Sequence, residues 1–325
     1  MTQPFLKIAL LILMFMTTPA SADEAFEAWL DTLRQDAAAA GISDATISEA
    51  LSRVELREKV VKYDRNQPEF KLTYDRYMRN VVPASRVEKG KRLWAENKDL
   101  LDEISATYKV QPRYIVALWG IESSFGKHTG GFSVINALAT MAYDGRRATF
   151  FRKELLAALK IIDDGHIAYP DMKGSWAGAM GQCQFMPSSF LAYAQDWDGD
   201  GKQDIWQNKA DIFASIAHYL QQAGWRNDLT WGRQVQLPQD FANAAQLVEA
   251  KTRKTMDEWR ALGVTNPDGS SLPPRNLTSR LVMPDGDEGP AFLVYANFDA
   301  TLRWNRSNYF ALAVGALSDA MAYTQ

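Results

Sequence analysis

Three short stretches of the chain place chemically useful residues at spacings a fold can exploit. The first is Pro112 to Gly126, PRYIVALWGIESSFG. Pro112 suits the first turn of a helix and Gly126 suits its end. Glu122 follows Ile115, Leu118 and Trp119 by seven, four and three residues, which puts it on their apolar face near the end of a buried helix. A carboxyl there is costly unless it is paired or protonated, and burial raises its pKa. Two roles suit such a residue: a glycosidic general acid, or a structural glutamate held by an arginine or by backbone amides.

The second stretch is Lys173 to Phe190, KGSWAGAMGQCQFMPSSF. Gly174, Gly178 and Gly181 permit close backbone approach to a ligand, or equally a tight packing joint. Ser175, Gln182 and Gln184 offer uncharged hydrogen-bonding groups suited to hydroxyls and N-acetyl amides. In the third stretch, Asp196, Asp198 and Asp200 stand at positions 1, 3 and 5 of a calcium-type loop. Gly201 supplies the turn at 6, Lys202 offers its carbonyl at 7, and Asp204 stands at 9. Gln207 occupies position 12, where a bidentate Glu is usual, so the loop on its own pattern is one ligand short. Asp211, four residues on, is either a further ligand or a helix cap.

These stretches need scaffolding, and the sequence supplies mostly helix. Phe26, Trp29, Leu30 and Leu33 recur at helical spacing, as do Ile47, Leu51 and Val54. Ser43 predicts an N-cap, with Ile42 and Ile47 placed to staple across it. Gly41 and Pro68 punctuate this region. Further helices are expected at about 84–106, 112–123, 147–163 and 211–223, the last ending at Gly224. Beyond Trp231 the texture changes. Val235 to Leu237 and Ala291 to Tyr295 read as strands, with turns at Pro267-Asp268-Gly269 and Pro284-Asp285-Gly286. A final helix at about 306–322 returns to the core. The class is α+β, mainly helical.

Composition narrows the function classes. Hydrophobic residues make up 46% and charged residues 23%, which excludes a disordered chain. The net charge of −3 lacks the basic footprint of a nucleic-acid binder. The N-terminus reads as an export leader of 22 residues: Lys7, an apolar run from Ile8 to Met16, then Ala20-Ser21-Ala22 before the expected cleavage point. No cysteine stands near that point, so a lipid anchor is not expected there. Cys183, the one cysteine, reads as a small buried thiol. His128, His166 and His218 lack metal-ligand spacing. Trp94, Trp119, Trp176, Trp206 and Trp225 read chiefly as core, with one or two left as sugar platforms.

Taken together, Ile121 to Gly126, Gly178 to Ser188, Asp196 to Gly201, and Ala217 to Leu220 followed by Gly224-Trp225 closely resemble the lytic murein transglycosylases of the B family, in the same order. The resemblance covers the whole expected mature chain, including Asp64 to Phe70 and Asn305 to Ser307. It implies a lysozyme-like core with an N-terminal helical domain and a small β-containing insertion: leader 1–22, helical domain 23–110, catalytic core 111–225, insertion 226–296, and a returning helix in 297–325. It further implies cleavage of peptidoglycan glycan strands in the periplasm, with Glu122 as sole acid/base and a 1,6-anhydromuramoyl product. The alternatives are a hydrolytic muramidase of the same fold and a non-catalytic wall-binding scaffold.

By the same resemblance the substrate contacts are Ser123, Arg146, Arg147, Ser175, Gln184, Tyr219 and Asn305, the arginines meeting acidic groups of the peptide stem or lactyl ether. Tyr77 is a looser match. Phe310 stands where the family carries another tyrosine. No cofactor is implied for the chemistry. A structural calcium is implied at Asp196, Asp198, Asp200, Lys202 and Asp204, with Asp211 as the closing acid.

Overall fold

The computed structural model describes residues 22–66, 72–144 and 146–322. The expected leader (residues 1–21 of it) and the connector at Pro68 lie outside the described residues. Among the described residues no helix is long and apolar enough to cross a membrane.

The chain opens with α1 (Ala22–Ala39), α2 (Asp44–Leu51), α3 (Glu58–Arg65) and α4 (Tyr74–Val81). Ser43 caps α2 as its sequence predicts, its hydroxyl accepting from the Thr46 amide, and Ile42 and Ile47 on either side of it are both buried. The helix expected over 84–106 is two, α5 (Ala84–Glu96) and α6 (Lys98–Tyr108), broken at Asn97. Asn97 leaves helical geometry and turns its side-chain amide back onto the Leu93 carbonyl, the local competition that makes asparagine a helix breaker.

At the centre lies α7 (Pro112–Ser123), buried on nearly every side from Tyr114 to Gly120. After a short strand β1 (Phe132–Ser133), α8 (Val134–Tyr143) is buried along almost its whole length. Next come α9 (Ala148–Asp163), strand β2 (Lys173–Gly174), α10 (Pro187–Tyr193) and α11 (Lys209–Gln222). Strands β1 and β2 pair antiparallel, Phe132 with Gly174 and Ser133 with Lys173. The helices before α7 share one continuous apolar cluster with it: Leu30, Leu33, Leu101 and Ile104 join Ile115, Leu118 and Phe213.

The remainder is β3 (Gly232–Val235), α12 (Ala244–Glu249), β4 (Arg253–Thr255), α13 (Met256–Ala261), β5 (Thr278–Val282), β6 (Ala291–Val294), α14 (Ala296–Trp304) and α15 (Asn308–Ala322). The strands form an antiparallel sheet in the order β3-β6-β5-β4. Alternation along β6 explains its unbroken apolar run. Phe292 and Val294 face the main core, whereas Ala291 and Leu293 face a second small core around Met256 and Trp259. Asp285, in the turn between β5 and β6, accepts from the Tyr74 amide and the Tyr309 hydroxyl, tying the sheet to α4 and α15. Finally, α15 lies along α7, and the Trp231 ring fills the space above Gly315, where a Cβ would lie 2.4 Å from it.

Candidate active site

Ile115, Leu118 and Trp119, the residues that set the face of Glu122, are at most 2% exposed. Glu122 stands at the end of α7, and the chain then makes a turn that few sequences adopt. Ser124, Phe125 and Gly126 are left-handed in succession, with φ of 54°, 59° and 79°. Each non-glycine residue there is strained and must be held by its surroundings. Phe125 is held by its ring, which packs edge-on to Trp119 and lies so close to Gly120 that a Cβ there would sit 2.6 Å away. Lys89 donates to the Ser124 carbonyl and stands over the Phe125 ring. The side chain of Glu122 is thereby aimed by a rigid frame.

The Glu122 carboxyl accepts one hydrogen bond, 2.7 Å from the Trp304 indole nitrogen to its Oε1. Among the described residues no arginine or lysine pairs with it and no backbone amide reaches it. The paired or capping role left open by the spacing is therefore excluded. Burial dominates: it pushes the pKa from 4.5 to about 7, against the lesser lowering effect of Trp304. An indole N–H can only donate, so Oε1 remains the acceptor oxygen and the proton is favoured on Oε2. Among the described residues no second carboxylate perturbs Glu122. Burial raises the phenol pKa of Tyr77, and the nearby Glu122 charge adds to the rise.

Trp304 is the residue the sequence reading missed, although it adjoins Asn305, which that reading did single out. Its ring packs 4.6 Å from Tyr219 and 5.1 Å from Phe185. The flanking residues serve the same spot. The Arg303 carbonyl accepts from the Tyr219 hydroxyl at 2.7 Å, and Asn305 is exposed, its Oδ1 capping the Ser307 amide and its amide nitrogen left for a ligand.

The glycine-rich stretch forms a set of interlocked turns. Ser175 Oγ accepts from the Ala177 and Ala179 amides, at 3.3 and 3.0 Å, so its proton can point outward as a donor. Gln184, left-handed at φ 50°, spends its amide nitrogen on the Thr129 and Gly181 carbonyls and keeps its carbonyl oxygen as an acceptor. Gln182 is structural: it accepts from the Trp119 indole and donates to the Trp206 carbonyl. Gly126 is required beside it, since a Cβ there would lie 2.3 Å from the Gln182 oxygen.

Three expected contacts already have partners within the protein. Ser123 is fully buried, its hydroxyl donating to the Trp119 carbonyl and accepting from the Gly126 amide, so its side chain closes the turn. Arg146 and Arg147 meet an acid, but an internal one. The Asp64 carboxylate, itself 1% exposed, takes Arg146 Nε at 2.8 Å and an Arg147 terminal nitrogen at 2.7 Å. The hydrogen bond from Arg146 is the chief reason the Asp64 pKa is lowered, against its burial. Phe310 is a buried core residue, and its neighbour Tyr309 brings a ring to 5.3 Å from Tyr77.

The acidic loop divides into two groups. Asp196, Asp198 and Asp211 bring carboxylate oxygens within 4.8 Å of one another, and none is ion-paired among the described residues. Asp211 is fully buried at the start of α11 and accepts from the Trp197 and Asp204 amides. This is a donor set of hard oxygens that fits a divalent cation such as calcium. Asp200 and Asp204 are not gathered into it. Asp200 accepts from the Lys202 amide, and Asp204 from the amides of Trp206 and Gln207, so three of the five expected carboxylates are gathered here. The histidines form no metal grouping among the described residues. Cys183 is buried, its thiol on the Ile212 carbonyl.

A helical core that presents one desolvated glutamic acid, ringed by aromatic and uncharged polar groups, defines a lysozyme-like glycan-cleaving class. Residues 25–319 match the transglycosylase SLT domain model, and the chain belongs to that family. It is 32% identical over 253 residues to the membrane-bound lytic murein transglycosylase B of Escherichia coli (strain K12), covering 76% of this chain and 67% of that protein. Pseudomonas aeruginosa SltB3, solved with NAG-anhNAM-pentapeptide, is 44% identical with a TM-score of 0.87 over 91% of this chain and 79% of that one. The Escherichia coli lytic transglycosylase Slt35, solved in complex with calcium, is 28% identical with a TM-score of 0.75 over 91% and 92%.

Proposed function

We propose that this chain is a lytic transglycosylase of peptidoglycan, with Glu122 as its single acid and base. The observation that carries this reading is the isolation of Glu122: partly buried and desolvated, poised near pH 7, and among the described residues unpaired by any cation and without a second carboxylate acting on it. Glycosidases that use water or a protein nucleophile set two carboxyl groups on either side of the scissile bond. One alone suits a substrate that supplies its own nucleophile.

Protonated Glu122 gives its proton to the oxygen linking N-acetylmuramic acid to N-acetylglucosamine as that bond breaks. The sugar's own 2-acetamido group stabilises the cation that develops. Glu122, now a carboxylate, takes the proton of the muramoyl 6-hydroxyl as its oxygen closes a 1,6-anhydro ring. An internal hydroxyl held in line has a high effective molarity, which favours ring closure over attack by water. A group with its pKa near the working pH serves both steps. The Ser175 hydroxyl and the Gln184 carbonyl then offer a donor and an acceptor to the acetamido and hydroxyl groups. Tyr219, Asn305 and the Trp304 ring line the same spot.

In this reading the chain is exported by its first 22 residues and works on the wall outside the cytoplasm. Asp196, Asp198 and Asp211 would hold calcium, whose charge would tie the loop to α11; the ion stabilises and takes no part in the chemistry. Mass spectrometry of products from purified sacculi tests the whole. Anhydromuramoyl ends are expected, and reducing ends one water heavier would identify a hydrolase instead.

A further inference from the structure

The turn that follows Glu122 is held from outside by a residue whose own position is costly. Ser124 and Phe125 are non-glycine residues in the left-handed region, and such backbone persists only where its surroundings over-determine it. Part of that hold is internal to the turn. The Phe125 amide donates to the Trp119 carbonyl, the Gly126 amide to the Ser123 hydroxyl, and the His128 amide to the Ser123 carbonyl. The Ser124 carbonyl has no partner of that kind. Among the described residues it accepts only from the Lys89 ammonium of α5, at 3.1 Å. The same ammonium stands 5.1 Å from the centre of the Phe125 ring. One cation therefore grips both strained residues, the first by its carbonyl and the second by its side chain.

The neighbouring cations of α5 are paired, Lys91 with Glu88 and Arg92 with Glu96, whereas no carboxylate pairs with Lys89 among the described residues. Lys89 is half-buried, and burial, followed by the charges of Lys127, Arg92 and Arg86, lowers its pKa. An unpaired ammonium among three other cations opposes folding. The charged hydrogen bond to Ser124 and the face of the Phe125 ring are what offset it. The helix is built to bring it there. Gly90, the next residue, is buried against the turn and α15, and a Cβ on it would lie 2.3 Å from Met321 Sδ and 3.3 Å from the Phe125 ring. Any larger residue would hold α5, and Lys89 with it, away from the turn. The ionisation of Glu122 is set by burial and Trp304, not by Lys89. The influence of Lys89 on the acid therefore runs through the backbone.

We infer that Lys89 is a positioning residue for the reaction: by fixing the Ser124 carbonyl and the Phe125 ring it holds the end of α7, and so aims the carboxyl of Glu122. The inference rests on Glu122 being the acid and base. Cleavage of uncrosslinked glycan strands, followed as glycan ends released, tests it with Lys89→Met, which keeps the aliphatic stem and removes donor and charge. Its kcat should fall about ten- to hundredfold, the loss that a misplacement on the order of 1 Å produces, with KM within about twofold of the wild type. Urea denaturation at the assay temperature should find the variant folded, so that the loss is not a smaller folded fraction. Lys89→Arg restores the charge and the donor and should recover most of kcat. Arg92→Met removes an exposed cation of the same helix and should leave kcat unchanged. Should Lys89→Met not fold, Lys89→Gln, shorter and uncharged, carries the same expectations. An unchanged kcat, a loss confined to KM, an arginine variant no better than the methionine one, or an equal fall in Arg92→Met overturns the inference. A wild type that cuts nothing, or a Glu122→Gln variant that still cuts, overturns the reading of Glu122 and the inference with it.

Discussion

Replacing Glu122 by glutamine should abolish cleavage and, above neutral pH, make the protein more stable. Burial lifts the Glu122 pKa from 4.5 to about 7. Between those values the folded chain keeps a proton that the unfolded chain has released, so this group makes stability fall as pH rises through the window. Each pKa unit corresponds to about 1.36 kcal/mol, so holding the ionised carboxylate in the fold costs up to about 3 kcal/mol at pH 8. Glutamine is nearly isosteric, does not titrate, and keeps the Trp304 bond through its carbonyl. Urea denaturation followed by tryptophan fluorescence measures the gap between variant and wild type at pH 4 and pH 8. Any cost of burying the amide is the same at both, so the difference between the gaps isolates the ionisation. That difference should be up to about 3 kcal/mol in favour of the variant at pH 8, which for a chain of this size is a melting shift on the order of 5 °C. Equal gaps at the two pH values would refute the desolvation argument, and appreciable turnover by the variant would refute the catalytic one.

Trp304→Phe keeps the ring but removes the donor that lowers the Glu122 pKa, so the alkaline limb of the pH–rate profile should move up by about one to two pH units, as expected for a hydrogen bond to a charged group; an unmoved limb would show that the contact does not govern ionisation. Asp64→Asn should destabilise by about 1–2 kcal/mol at pH 7, less than a fully buried pair because both arginines are half exposed. Since the Asp64 pKa is lowered, that deficit should shrink as pH falls below about 4; a deficit independent of pH would mean the carboxylate charge is not what matters. Millimolar calcium should raise the melting temperature of chelator-treated protein by the stabilisation that binding to the folded state alone provides, and Asp198→Ala should abolish the rise; a chain indifferent to calcium would leave the three carboxylates without a metal role.

Much of this architecture was legible because apolar residues recur at the helical period wherever one face of a helix stays wet, as in α1 and α11. Where both sides are covered the period vanishes: α8, VINALATMAY, is buried almost throughout and offered no stripe to read. Glu122 was readable because a carboxylate on an apolar face is conspicuous in one dimension. Its indole partner was not, since an aromatic residue 182 positions away carries no local sign of what its N–H touches. The internal partner of the arginines was hidden for a related reason. Adjacent cations signal an acid nearby, but spacing cannot tell a ligand's carboxylate from one buried in the protein's own α3.

The hydrogen bond from Trp304 to Glu122 also joins parts of the chain that are made at very different times. The ribosome finishes α7 long before α14 exists, and α15, which packs along α7, comes later still. A nascent chain can fold its early helices and yet lack the donor that holds the acid, the Tyr219–Arg303 contact, and the helix that covers α7. The surroundings of Glu122 are therefore complete only once α14 and α15 have been made, and a chain stalled or clipped before residue 304 carries the glutamate without its indole donor or the helix that covers α7.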